Sequence, residues 1–129
     1  HHFNDNEEIA THLKAERMGK LQREAESEIL LPLLNFLKQK KGIKILGNLD
    51  LSIDKKVPTI SIDIKGNVEK VVHKLNKKRL MVGSGDFYAV RLLESLGIEL
   101  PAGVLRLSFV HYTKSSEIDS LIEALDQLL

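Results

Sequence analysis

The sequence predicts an α+β fold: a two-layer sandwich in which a small, mostly antiparallel sheet of three to four strands carries helices on one face, preceded by a long amino-terminal helix. Three observations carry this. Leu21, Ala25, Ile29, Leu33 and Leu37 recur every four residues among Lys, Arg, Glu and Gln, the period of a helix with one apolar face. Ile60, Ile62 and Ile64 alternate with Ser61 and Asp63, the period of a strand with one buried face. Ile118, Leu121, Ile122, Leu125 and Leu128 restore the helical spacing near the end of the chain.

Residues 1–6 are set aside as a tag remnant or disordered leader, because paired histidines followed by Phe-Asn-Asp-Asn carry no structural period. Residues 7–129 then form one small domain: a long helical segment over 7–41, and the sandwich over 42–129. Pro32 lacks a backbone N–H, so a kink or the start of a second helix is expected near Leu30. Lys38, Lys40 and Lys41 before Gly42 suit a helix C-terminus. Strands follow at Ile43 to Leu46 and Thr59 to Ile64, with Leu49 to Ile53 extending the first or standing alone and Asp54, Lys55, Lys56 and Pro58 in the loop.

Asn67 is placed to cap a helix whose face is Val68, Val71, Val72 and Leu75, ending near Arg79. A short strand is expected at Leu80 to Val82, then a turn at Gly83-Ser84-Gly85, then a helix from Phe87 to Leu96 capped by Asp86 and stopped by Gly97. The strand Val104 to Tyr112 puts Leu105, Leu107 and Phe109 on one face and Arg106, Ser108 and Val110 on the other. Ser115 or Ser116 is expected to cap the final helix.

Composition removes several classes of function. Of 129 residues, 43% are hydrophobic and 29% charged, the balance of a folded globular domain. No apolar run reaches the ~18 residues of a membrane-spanning helix, and the start lacks the layout of a secretion signal, so a cytoplasmic setting without a membrane partner is expected. The absence of cysteine removes disulfides, thiolate nucleophiles and cysteine-ligated zinc. His12, His73 and His111 show no metal-ligand spacing, and no metal is expected. Net charge is +1, and aromatic residues are only 5%, too few to stack bases beside the basic run His73 to Arg79, so no nucleic acid is expected as partner.

Gly83-Ser84-Gly85-Asp86 fits neither a dinucleotide fingerprint, since Tyr88 stands at the third-glycine position, nor a phosphate loop. Ser84 and Ser108 have no sequence neighbour that would activate a hydroxyl. Arg106 is the candidate binding residue: a planar fork of donors suited to a carboxylate, interrupting an apolar strand.

Gly103-Val104-Leu105-Arg106-Leu107-Ser108-Phe109-Val110-His111-Tyr112-Thr113, followed by Glu117-Ile118-Asp119-Ser120-Leu121, resembles the final strand and helix of class V aminotransferase and cysteine desulfurase-like enzymes. Val57-Pro58-Thr59-Ile60-Ser61-Ile62 and Leu80-Met81-Val82-Gly83-Ser84-Gly85-Asp86-Phe87-Tyr88-Ala89 resemble earlier landmarks of the same carboxy-terminal small domain, in the same order. The resemblance covers roughly residues 20 to 129. It implies a fold-type-I enzyme dependent on pyridoxal phosphate and acting on an amino acid, with Arg106 holding the substrate carboxylate and Gly83, Ser84, Gly85 and Tyr88 on an active-site loop. Tyr88 stands where true desulfurases carry their cysteine. No lysine here matches the Schiff-base motif, so cofactor and catalytic groups are expected on an absent large domain. The isolated chain is then expected to bind no cofactor and to be inactive. Homodimerisation is implied for the intact enzyme. The alternative is a free-standing α+β module whose uncovered sheet face binds protein or RNA.

Overall fold

The computed structural model describes residues 5–47, 58–64, 66–100, 103–110 and 112–129. Eight elements follow one another: α1 (Asp5–Gln39), β1 (Ile43–Leu46), β2 (Thr59–Ile64), α2 (Val68–Lys77), β3 (Gly83–Gly85), α3 (Val90–Ser95), β4 (Val104–Ser108) and α4 (Ser115–Asp126). The strands form one antiparallel sheet in the order β1-β2-β4-β3. The α+β sandwich with a long leading helix is thus the observed fold. Leu49 to Lys56, which include the suggested extension of β1, lie outside the described residues, as do Val57, Pro101 and His111.

Strand pairing decides which side chains meet the helices. Ile62 pairs with Ile45 and Leu105, and Ile60 with Leu107; directly opposed residues share a face, so these side chains form one apolar surface. Helices α1, α2 and α4 cover it, burying Leu33, Leu34, Leu37, Leu75, Ile118 and Leu125 against the isoleucines and leucines of the sheet. Each such side chain withdrawn from water contributes about 1.5–3 kcal/mol. Lys40 closes the layer at one end with a 2.8 Å ion pair to Asp126 while lying over the Phe36 ring.

Helix α1 decides between the alternatives expected at Pro32 and departs from the expected burial pattern. It runs through Pro32 as one element, with no second helix begun at Leu30. Pro32 is exposed, so the carbonyl it leaves without an N–H faces the solvent side, while buried Leu30, Leu33, Leu34 and Leu37 hold the helix on both sides of it. The apolar stripe is also only half used. Leu33 and Leu37 are buried, but Leu21 is 58% exposed and Ala25 is exposed, because the sandwich is shorter than the helix and ends near Ile29.

Asn67 caps α2 as expected, its Oδ1 accepting from Lys70 N at 2.8 Å. The end of α2 moves the next strand. Arg79 takes a left-handed conformation, φ 62°, so that Leu80 N–H donates back to Leu75 and Arg79 N–H to Asn76. Val82 N–H turns to the Asn76 side chain. With these donors committed to the helix, Leu80 to Val82 form no strand, and pairing with β4 begins at Gly83 opposite Arg106. The expected glycine turn is therefore edge strand β3.

The expected helix from Phe87 to Leu96 is shorter, Val90–Ser95, because Phe87 and Tyr88 have φ of 48° and 64°, outside the right-handed helical region. Asp86 accepts from Tyr88 N–H at 2.8 Å, closing a turn rather than capping a helix. Gly97, at φ 73°, ends α3 as expected: Ile98 N–H donates to Leu93 and Gly97 N–H to Glu94. Strand β4 stops at Ser108 rather than Tyr112, since Val110 N–H goes to the Thr113 hydroxyl and Thr113 N–H returns to Val110. Lys114, not Ser115 or Ser116, is the N-cap of α4; the Glu117 carboxylate accepts from its backbone N–H at 2.8 Å.

Gly103 makes the β3 edge possible. At φ 63° it lies so close to Gly85 that a Cβ added to it would fall 2.3 Å from that residue's backbone. Gly103→Ala should therefore cost substantially more than Gly97→Ala, which has the same backbone problem but open space around it and should cost about 1–2 kcal/mol. Urea denaturation of the two variants checks this, and equal losses would mean that the Gly103–Gly85 contact relaxes without penalty.

Candidate functional site

The sheet face away from α1, α2 and α4 is built from the alternate residues of the same strands. Leu46, Ser61, Arg106 and Gly83 form one row across all four strands, and Thr59 pairs with Ser108 in the next. Arg106 thus stands near the centre of that face, on one of the two inner strands. It is exposed, while its neighbours Leu105 and Leu107 are buried beneath the helices. The strand polarity expected from sequence is the polarity observed.

A second, smaller apolar cluster covers one end of this face. Leu93, Ile98 and Val104 are buried there, with Leu46, Phe87 and Leu100 packed against them. Phe87 reaches from this cluster to Arg106, whose guanidinium carbon lies 3.8 Å from the ring centroid. This stacking contact is a favourable cation–π arrangement. Gly83 stands directly opposite Arg106, and a Cβ there would make ordinary contact with the Phe87 ring, 3.4 Å from Cζ.

Among the described residues no carboxylate pairs with Arg106. Its donors border an open groove lined by Asn76, Met81, Val82, Gly83 and Ser108. Such a guanidinium can receive a planar anion, two parallel N–H groups meeting two oxygens.

The structure brings only some of the sequence candidates together. Gly83 joins Arg106 directly, and Gly85 pairs with Val104 one step along the same face. Ser84 pairs with Leu105 and so belongs to the opposite, helix-covered side. Tyr88 lies on the turn after β3, 102% exposed and with φ 64°, so it serves no packing purpose within this chain. Phe87 was missed as a site residue by sequence reasoning, which placed it inside a helix. The signal available was an aromatic residue four positions after a glycine that pairs with the arginine strand, legible only once the register is known.

Other candidates stay apart from this site. His12 and Glu16 are a 4.0 Å pair of exposed side chains on α1. Lys74 and Lys77 of the basic run sit in the last turn of α2, and Lys78 donates to the Gln127 side chain at 2.7 Å. Among the described residues no group of three or more His, Cys, Asp or Glu could hold a metal ion, and no helix is long and apolar enough to cross a membrane.

Comparison with known proteins bears on this geometry. No protein-family model matches the chain. An aminotransferase-like protein of Gibberella zeae is 30% identical over 108 residues, covering 82% of this chain and 27% of that protein. A nonribosomal peptide synthetase-like enzyme of Aspergillus fumigatus is 32% identical over 100 residues, 74% of this chain and 7% of its own length. Among solved structures, the apo cysteine desulfurase of Thermococcus onnurineus superposes with a TM-score of 0.70 at 22% identity, over 81% of this chain and 25% of that one. A NifS-like protein of Rickettsia africae gives 0.64 at 17%, over 82% and 28%. The cysteine desulfurase CsdA of Escherichia coli gives 0.63 at 22%, over 84% and 25%. The chain thus spans about a quarter or less of the relatives it matches.

The turn that presents Phe87 and Tyr88 is closed twice at Asp86, whose carboxylate accepts from Tyr88 N–H and whose carbonyl accepts from Ala89 N–H, each at 2.8 Å. Asp86→Ala should speed amide exchange at Tyr88 about fivefold, the loss of ~1 kcal/mol for one hydrogen bond, while Asp86→Asn should largely preserve protection. Unchanged exchange in the alanine variant would show that the backbone bond from Ala89 and packing hold the turn without the carboxylate.

Proposed function

We propose that this chain, whose fold is that of the small domain of class V aminotransferase and cysteine desulfurase-like enzymes, contributes Arg106 to an active site completed by a separate large domain. Arg106 receives the α-carboxylate of an amino-acid substrate there. The observation that carries this reading is the placement of an exposed arginine near the centre of the sheet face away from α1, α2 and α4, stacked on Phe87 and meeting no acid among the described residues.

The described residues do not fit pyridoxal phosphate. That cofactor needs a lysine for its imine linkage and an acid at the pyridine nitrogen, held together in an enclosed site. Among the described residues no charged side chain is buried, and Lys40, half-buried, is already engaged by Asp126 and Phe36. The cofactor and the catalytic groups therefore belong to the large domain of the intact enzyme. The chain's own contribution is recognition: binding the carboxylate orients the amino acid, and the apolar floor formed by Phe87 and its cluster limits water beneath the guanidinium. The partners that follow are that large domain, an amino-acid substrate and a second copy of the intact enzyme. With Tyr88 at the cysteine position and no cysteine in the chain, this segment supplies no thiol for sulfur transfer.

In the intact enzyme, Arg106→Ala should raise KM for the amino acid roughly ten- to a hundredfold, the loss of a charged hydrogen-bonded contact worth about 1.5–3 kcal/mol. The cofactor's absorbance spectrum should be unaltered. A variant that loses cofactor while keeping KM would place Arg106 on the cofactor instead.

A further inference from the structure

We infer that Phe87 is the positioning residue for Arg106: its ring orients the guanidinium for a carboxylate without occupying the donors that bind it. The inference deepens the carboxylate reading above and rests on it. An acidic neighbour would also orient an arginine, but it would neutralise the charge and take up N–H groups. An aromatic face attracts the cation through its quadrupole and leaves the in-plane donors directed outward.

Several separate features of the fold converge on this contact. The ring is itself held, because Phe87 packs against Leu93, Ile98 and Val104. The chain adopts φ 48° at Phe87 and 64° at Tyr88 to bring the ring back over the sheet, a conformation uncommon for bulky residues and maintained by the Asp86 side chain. Gly83 faces Arg106 across the strand pair, and the ring lies over it, 3.4 Å from where a Cβ would stand. Left-handed backbone at two consecutive aromatic residues is the kind of local cost that persists where a side chain must be placed for function.

The test separates orientation from packing by comparing Phe87→Leu, which keeps apolar volume but removes the aromatic face, with Phe87→Tyr, which keeps both. In this chain, the Arg106 Nε–Hε resonance should lie upfield under the Phe87 ring current, move toward its ordinary position in Phe87→Leu and stay in place in Phe87→Tyr. In the full-length holoenzyme, L-alanine serves as the probe, its apparent Kd read from the change in cofactor absorbance. Phe87→Leu should weaken L-alanine about three- to tenfold, and Phe87→Tyr should remain within twofold of the parent. If Arg106→Ala weakens L-alanine but Phe87→Leu does not, the positioning role is wrong and the carboxylate reading stands. If Phe87→Tyr fails as badly as Phe87→Leu, an aromatic face over the guanidinium is not what supports binding and the inference is overturned. If Arg106→Ala leaves L-alanine binding unchanged, the carboxylate reading fails, and the inference with it, whatever the resonance shows.

Discussion

The pairing of β2 with β4 is the constraint on which the rest of this molecule depends. Ile60 opposite Leu107 and Ile62 opposite Leu105 turn four large apolar side chains to one side; the same register turns Ser61 and Arg106 to the other. A slip of one residue would exchange the two sets, burying a guanidinium under three helices and exposing the core. Burial of the apolar face and presentation of Arg106 are therefore one structural decision. The long helix α1 and the terminal helix α4 stabilise the register by packing on the apolar side, without touching the open one.

Local chemistry is legible in the sequence where one interaction dominates. The alternation in Thr59–Ile64, the Asn67 cap, the Gly97 terminator and the two faces of β4 all follow from side-chain type and spacing, and the structure realises each. Where two local solutions share the same residues, spacing is insufficient. Asp86 accepting from the second N–H beyond it serves equally well at a helix start or in an isolated turn; the choice is set by Phe87, which tertiary packing draws into a left-handed conformation. Gly83-Ser84-Gly85 has the composition of a turn, yet it becomes an edge strand because Gly103 approaches Gly85 closely enough to exclude a side chain. The arginine was visible as a candidate from its own strand. Its aromatic support was not, since the two residues are far apart along the chain and meet only through β3.

Two surfaces remain available for a larger assembly. The first half of α1 exposes Leu13, Met18 and Leu21 beyond the point where the sandwich ends, the sheet face away from α1, α2 and α4 carries Arg106, and the turn after β3 carries fully exposed Tyr88. A chain matching about a quarter of the cysteine desulfurases with which it superposes has the surfaces expected of a domain with a neighbour. If, as proposed, the carboxylate-binding arginine sits on one domain and the cofactor on another, substrate binding depends on how the two domains meet. On that proposal the stacking of Arg106 on Phe87 would hold the guanidinium before the domains meet and reduce the ordering needed when substrate arrives.

The most direct measurement is a crystal structure of the full-length enzyme with its cofactor and an unreactive amino-acid analogue. The account predicts the analogue's carboxylate paired with the Arg106 guanidinium at about 2.7–2.9 Å, with the guanidinium still stacked on Phe87. A carboxylate held entirely by large-domain residues, with Arg106 left in solvent or paired to a protein acid, would contradict it.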